Sequence, residues 1–115
     1  MKTVLVTGAT GFLGKYVIEE LAEHGYQVRA FGRNSKVGRS LENSSVSFFK
    51  GDLTKADDVL EACKGMDLVV HAGALSTIWG AWEDFYHANV LGTKYVLEAC
   101  RQTGIQRLVY VSSPS

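Results

Sequence analysis

The sequence predicts an α/β fold: a doubly wound parallel sheet of five strands with helices on both faces. Short, near-continuous apolar runs alternate with longer segments whose apolar residues recur at helical spacing. That is the pattern of buried parallel strands joined by crossover helices. The first such run also ends in "VTGATGFLG", which spaces Gly8, Gly11 and Gly14 three apart between strand and helix.

Each element follows in order. "TVLV" is a β-branched and aliphatic run that reads as a strand buried on both faces. From Phe12 to His24 the residues Leu13, Val17, Ile18, Leu21 and Ala22 recur at helical spacing, and Gly25 stops the helix. "YQVRAF" is the second strand, and the polar stretch Asn34 to Ser45 reads as a loop with room for one helical turn. "VSFFK" is the third strand, after which Thr54 is expected to cap a helix through "KADDVLEACKG". "DLVVHAG" is the fourth strand. A long helix from Trp82 to Thr103, closed by Gly104, leads to a fifth strand in "RLVYVSS".

Composition narrows the function classes. The chain has 115 residues, the size of roughly one domain. Its 12 basic and 12 acidic residues balance, so no broad positive footprint for nucleic acid exists. The apolar runs fall well short of the roughly 18 residues of a membrane span. The N-terminus carries no signal-peptide pattern, and Cys63 and Cys100 are isolated, which suits reduced thiols in a cytoplasmic protein. Cys63, Cys100, His24, His71 and His87 show no metal-ligand spacing, so no metal site is expected.

The glycines stand where a helix N-terminus offers unpaired backbone N–H groups and a positive dipole end, a ready phosphate site. Gly8 suits the tight turn, Gly11 lets the backbone approach a pyrophosphate, and Gly14 lets helix and strand pack closely. A mere tight turn is the competing reading. Strand before and helix after are the context the phosphate reading requires. Asp52, just past the third strand, reads either as an acceptor for an adenine amino group or as a simple helix-start carboxylate. Asn89, on an otherwise apolar helical face, is a polar group that needs partners. His71 reads as a packed strand residue.

With its G-x-x-G-x-x-G spacing, "TGATGFLG" resembles the short-chain dehydrogenase/reductase superfamily, specifically its extended branch of epimerases, dehydratases and hydroxysteroid dehydrogenases. Four further stretches match in the same order: "GDL", "HAGA", "NVLGTKYVLEAC" and "VYVSSPS". The resemblance spans the whole chain and implies a Rossmann fold. It places the cofactor against Gly8, Thr10, Gly11, Phe12, Leu13 and Gly14, against Asp52 and Leu53, and along Ala72, Gly73 and Ala74. It makes Asn89 a support for the fourth strand's backbone, and Ser113 the catalytic residue that hydrogen-bonds the substrate oxygen.

Cofactor choice is expected at the end of the second strand. NAD-binding folds usually carry an acid there, roughly 20 residues beyond the glycines, for the ribose 2′-hydroxyl. Here Gly32 takes that place and Arg33 follows. An arginine cannot accept from the ribose, but it pairs with a 2′-phosphate. NADP is therefore favoured over NAD, with Lys36 and Arg39 nearby as further charge or as a solvated loop.

The superfamily's acid/base pair is Tyr-x-x-x-Lys. The tyrosines at Tyr16, Tyr26, Tyr86, Tyr95 and Tyr110 are followed at that spacing by Glu20, Ala30, Val90, Ala99 and Pro114. No such pair exists here. Residues 1–115 are therefore expected to be the N-terminal, cofactor-binding part of a longer enzyme, inactive alone. Trp79, Trp82 and Phe85 liken the stretch before the long helix to the 3β-hydroxysteroid dehydrogenase-like group and suggest an apolar small-molecule pocket. The expected activity is hydride transfer between a nicotinamide and a carbonyl or alcohol. A sugar-nucleotide epimerase or dehydratase, or a non-catalytic NADP-sensing module, is the alternative. The long helix carries a stripe of Phe85, Ala88, Gly92, Val96 and Ala99 toward the sheet, with Leu91, Tyr95 and Leu97 pointing away. A helix apolar on two sides is normally buried twice, and the resemblance implies a homodimer through it.

Overall fold

The computed structural model describes residues 2–9, 12–73, 82–105 and 107–112, with side-chain detail at 2–9, 14–71, 92–105 and 107–109. Strands and helices alternate as β1 (Thr3–Thr7), α1 (Phe12–Glu23), β2 (Gln27–Gly32), α2 (Ser35–Ser40), β3 (Val46–Lys50), α3 (Ala56–Cys63), β4 (Leu68–Gly73), α4 (Trp82–Thr103) and β5 (Leu108–Ser112). All strand pairs are parallel, and the sheet order is β3-β2-β1-β4-β5. This is a Rossmann-type sheet.

The period of two along each strand sorts side chains into two cores. Val4, Val6, Val28, Ala30, Val46 and Val70 pack with Ile18 on the side where Val17, Leu21 and Ala22 of α1 lie. Leu5, Phe31 and Val69 point the other way, onto Val59, Ala62 and Cys63 of α3 and Val96, Ala99 and Cys100 of α4. The central strand is apolar on both faces because both are covered: Val4, Leu5 and Val6 are fully buried. Arg29 is the charged residue on β2. Its guanidinium donates to the carbonyls of Ala62 at 2.9 Å and Lys64 at 3.1 Å, satisfying the end of α3.

Three sequence expectations need correction. The polar stretch after β2 holds a defined helix, α2, because the Asn34 side chain accepts from the N–H groups of Lys36 and Val37. Thr54 does not cap α3. Lys55 occupies that position with no side-chain hydrogen bond. The Thr54 hydroxyl instead donates to Asp52 Oδ1 at 2.7 Å, a charge-assisted hydrogen bond. On α4, Gly92, Val96 and Ala99 are buried as expected and Leu97 is exposed, but Tyr95 packs against the core beneath α3 and α4. The side chains of Phe85, Ala88 and Leu91 lie outside the described residues.

Candidate cofactor site

Because every strand runs the same way, all their carboxyl ends share one edge of the sheet. Gly8 follows β1, Arg33 follows β2, Asp52 follows β3 and Gly73 ends β4 on that edge. The chain steps from β1 outward through β2 to β3, then returns to place β4 on the other side of β1. Open α/β sheets bind ligands in the crevice at such a reversal of strand order.

The first turn is built for close approach. Gly8 has φ +68°, a left-handed conformation that glycine adopts without steric cost. Gly14 is buried in the first turns of α1, where an added Cβ would lie 2.3 Å from the Gly8 carbonyl oxygen and 2.8 Å from Ala9 Cα. The Ala9 N–H donates to Phe31 O at 3.2 Å, which ties the turn to β2. The helix therefore starts directly on the glycine turn, with its N-terminal N–H groups toward the carboxyl edge. Thr10 and Gly11 lie outside the described residues, and Phe12 and Leu13 are described only as the start of α1.

At the β2–β3 end, Arg33 is exposed and close enough to Asp52 for its charge to act on that carboxylate. Two hydrogen bonds from Thr54 hold the Asp52 carboxyl below the usual carboxylate range, and the Arg33 charge adds to the effect. Asp52 is thus an ionised acceptor, and a carboxylate retains lone pairs beyond those facing Thr54. Leu53 packs toward α4, where an added Cβ on Gly92 would lie 3.1 Å from the Leu53 Cβ. Sequence reading missed Asp58, whose Oδ2 accepts from the Asp52 N–H at 3.0 Å and fixes the turn. The signal was available in its place on the first turn of α3, where a carboxylate is favourable and can reach back.

A second feature was half legible. His71 is a packed strand residue, 1% exposed. It also joins three elements. Nδ1 meets the hydroxyl of Thr7, its register partner on β1, and Nε2 meets the Thr93 hydroxyl of α4 at 3.0 Å. One ring nitrogen donates and the other accepts in the neutral imidazole. Ala72 and Gly73 continue β4 past this point. Asn89 lies on α4 with its side chain outside the described residues, as are Ala74 and Ser113.

Burial holds the His71 imidazole below its ordinary range. The unfolded chain takes up a proton near pH 6.5, while the folded chain takes it up only at lower pH. The stability that follows from this is present above the unfolded pKa and declines as pH falls below it. Melting temperature is expected to drop between pH 7 and pH 5, and to drop less in His71→Asn. Parallel pH profiles of the two proteins would contradict that role.

Comparisons with known proteins carry the site further. The sequence profile described as the NAD dependent epimerase/dehydratase family matches residues 4–115. The chain belongs to that family. It is 45% identical over 112 residues to a 2-alkyl-3-oxoalkanoate reductase of Stenotrophomonas maltophilia, covering 97% of this chain and 33% of that one. It is 39% identical over 114 residues to the mouse (Mus musculus) decarboxylating sterol-4-alpha-carboxylate 3-dehydrogenase, covering 99% and 30% respectively. Among solved structures, a variant of Agrobacterium tumefaciens uronate dehydrogenase complexed with NAD superposes with a TM-score of 0.78. It is 30% identical, over 98% of this chain and 41% of that one. The chain spans about a third of the length of the curated relatives it matches. The family is described as NAD dependent; in this chain the glycine turn leaves no room for a Cβ at Gly14, and the ionised Asp52 and the Arg33 cation follow β3 and β2 on the same edge. Among the described residues, no three His, Cys, Asp or Glu side chains gather to hold a metal, and no helix is long and apolar enough to cross a membrane.

Proposed function

We propose that this chain is the cofactor-binding part of an NADP-dependent oxidoreductase acting on a carbonyl or alcohol carbon. The observation that carries this reading is the glycine turn packed against α1 at the strand-order reversal, with Gly32 where an NAD-binding fold would place an acid and Arg33 directly after it. When bound, the nicotinamide supplies or accepts the hydride. Gly8, Gly11 and Gly14, with Thr10, Phe12 and Leu13, seat the pyrophosphate on the backbone at the start of α1. Asp52 and Leu53 receive the adenine, and Arg33 pairs with the 2′-phosphate. Ala72, Gly73 and Ala74 are small enough to leave room for the nicotinamide half, and Asn89 supports the end of β4. Ser113, following β5, hydrogen-bonds the substrate oxygen and orients the carbon toward the cofactor.

The two relatives suggest a substrate class. One name places an oxo group on carbon 3 of a 2-alkyl acid, and the other a dehydrogenation at carbon 3 beside a carboxylate on carbon 4. In both, the reacting carbon is one bond from the carbon bearing the carboxylate, on an apolar body. A β-keto or β-hydroxy acid of that kind is the proposed substrate, with Trp79, Trp82 and Phe85 lining its apolar side. The whole protein is proposed to be a cytoplasmic homodimer joined through the outer face of α4, where Leu97 is 53% exposed.

The test is turnover by the full-length protein. With a 2-alkyl-3-oxo acid, NADPH absorbance should fall, and Ser113→Ala should slow the fall by 100-fold or more, on the order of the loss for one oxyanion donor. Epimerisation of a sugar nucleotide with no net consumption of NADPH would replace this reading with the epimerase alternative. Tight NADPH binding with no turnover of any carbonyl would replace it with a sensing module.

A further inference from the structure

The thiols of Cys63 and Cys100 take no part in the proposed reaction, yet the fold brings them together from 37 positions apart. Cys63 is the last residue of α3, and Cys100 lies in the last turn of α4. Both helices run back from the carboxyl edge of the sheet. The two thiols therefore meet near the opposite edge, where Met66, Ile105 and Leu108 pack over them. Ala62 and Cys63 on one helix and Ala99 and Cys100 on the other are buried in a single cluster. Four small side chains let the helices approach closely, and the thiols reach one another: the Cys63 S–H donates to Cys100 Sγ. Arg29 stands beside them. Its guanidinium donates to the carbonyls of Ala62 and Lys64, on either side of Cys63, and its charge acts on that thiol.

The two sulfurs are not equivalent. Cys63 is fully buried, whereas Cys100 is 6% exposed. Burial pushes both thiols up, Cys63 to about 12. The hydrogen bond between them keeps the proton on Cys63 and eases the ionisation of Cys100. Cys100 is thus the sulfur that ionises and meets solvent first.

We propose that Cys63 and Cys100 are a thiol pair oxidised by hydrogen peroxide, in which Cys100 attacks, Cys63 resolves, and the resulting disulfide staples α3 to α4. The Cys100 sulfur takes one oxygen from the peroxide, breaking its O–O bond, and becomes a sulfenic acid with release of water. The Cys63 sulfur then attacks that sulfur, and the hydroxyl leaves with the Cys63 proton as a second water. The two sulfurs lose two electrons and one peroxide becomes two waters. Thiols buried in apolar surroundings are inert at rest, so the reaction waits on local opening. The end of α3 is the element that opens. It is a helix of eight residues followed by Gly65 at φ +81°, and Arg29 is the latch that holds its carbonyls.

The test is peroxide treatment of the reduced full-length protein, followed by digestion and mass spectrometry. The Cys63 and Cys100 peptides should appear joined, two hydrogens lighter than the pair, and dithiothreitol should restore both thiols. In Cys63→Ala the reaction should stop at a Cys100 sulfenic acid that dimedone traps. In Cys100→Ala, Cys63 should stay reduced at the same dose. Arg29→Met should speed the joining roughly fivefold, the scale of one lost hydrogen bond, with the same product. The proposal is overturned if the joined peptides form only after unfolding in urea, or if the bond links two copies of the chain instead. Trapping of Cys63 rather than Cys100, or a rate that Arg29→Met leaves unchanged, would also overturn it.

Discussion

Gly14→Val is expected to be the most damaging single change in this chain, lowering unfolding free energy by about 3 kcal/mol or more, the upper range for overpacking. The clash is with backbone: the first added carbon would fall 2.3 Å from the Gly8 carbonyl oxygen and 2.8 Å from Ala9 Cα. No rotamer relieves it, because Cβ is fixed by the main chain. Nor can the turn give way easily, since Gly8 holds φ +68° and Ala9 is bonded to Phe31 O. The only relaxation left is to push α1 off β1, which uncovers Val4, Val6 and Ile18. Urea titration followed by circular dichroism reads the effect as a lower midpoint with the slope retained. A midpoint equal to that of the unsubstituted chain would show that α1 does not start on the turn.

The second large effect concerns selectivity. Arg33→Ala should weaken NADPH binding by about 1.5 to 3 kcal/mol, the range for hydrogen bonds to a charged group, and leave NADH nearly untouched. Arg33 is exposed and on no hydrophobic surface the fold needs, so stability should not change. Its charge acts on Asp52, which loses only the smaller part of what keeps it ionised, because the Thr54 hydrogen bonds dominate. An equal loss for both cofactors would mean that Arg33 reaches a phosphate the two share. No loss for either would remove it from the site.

The sheet was legible in the sequence because burial on both faces leaves a plain trace. Runs such as "TVLV" and "DLVVHAG" are apolar without alternation, and each became a strand within a residue or two of its expected ends. Gly14 was legible for its spacing, and its packing against Gly8 and Ala9 matches the reason given for it. What stayed hidden depended on side chains meeting across distant segments. Asn34 capping a short polar helix competes with a loop of the same composition, and only the seat on Phe48 decides between them. Thr54 could accept from the N–H groups of a helix start or donate to Asp52, and the ionised carboxylate took it. The Thr7–His71–Thr93 link joins residues 64 and 22 positions apart, a separation that no local pattern encodes. Tyr95 reads as outward on a helical wheel, yet the core beneath α3 reaches around to meet it.

The most direct test of an NADP site on this carboxyl edge is a calorimetric titration of the unsubstituted chain with NADPH and, separately, with NADH. Saturable binding of both, with NADPH the tighter and its advantage shrinking as salt screens the arginine, is the expected result. Tighter binding of NADH, or no heat of binding from either nucleotide, would contradict it.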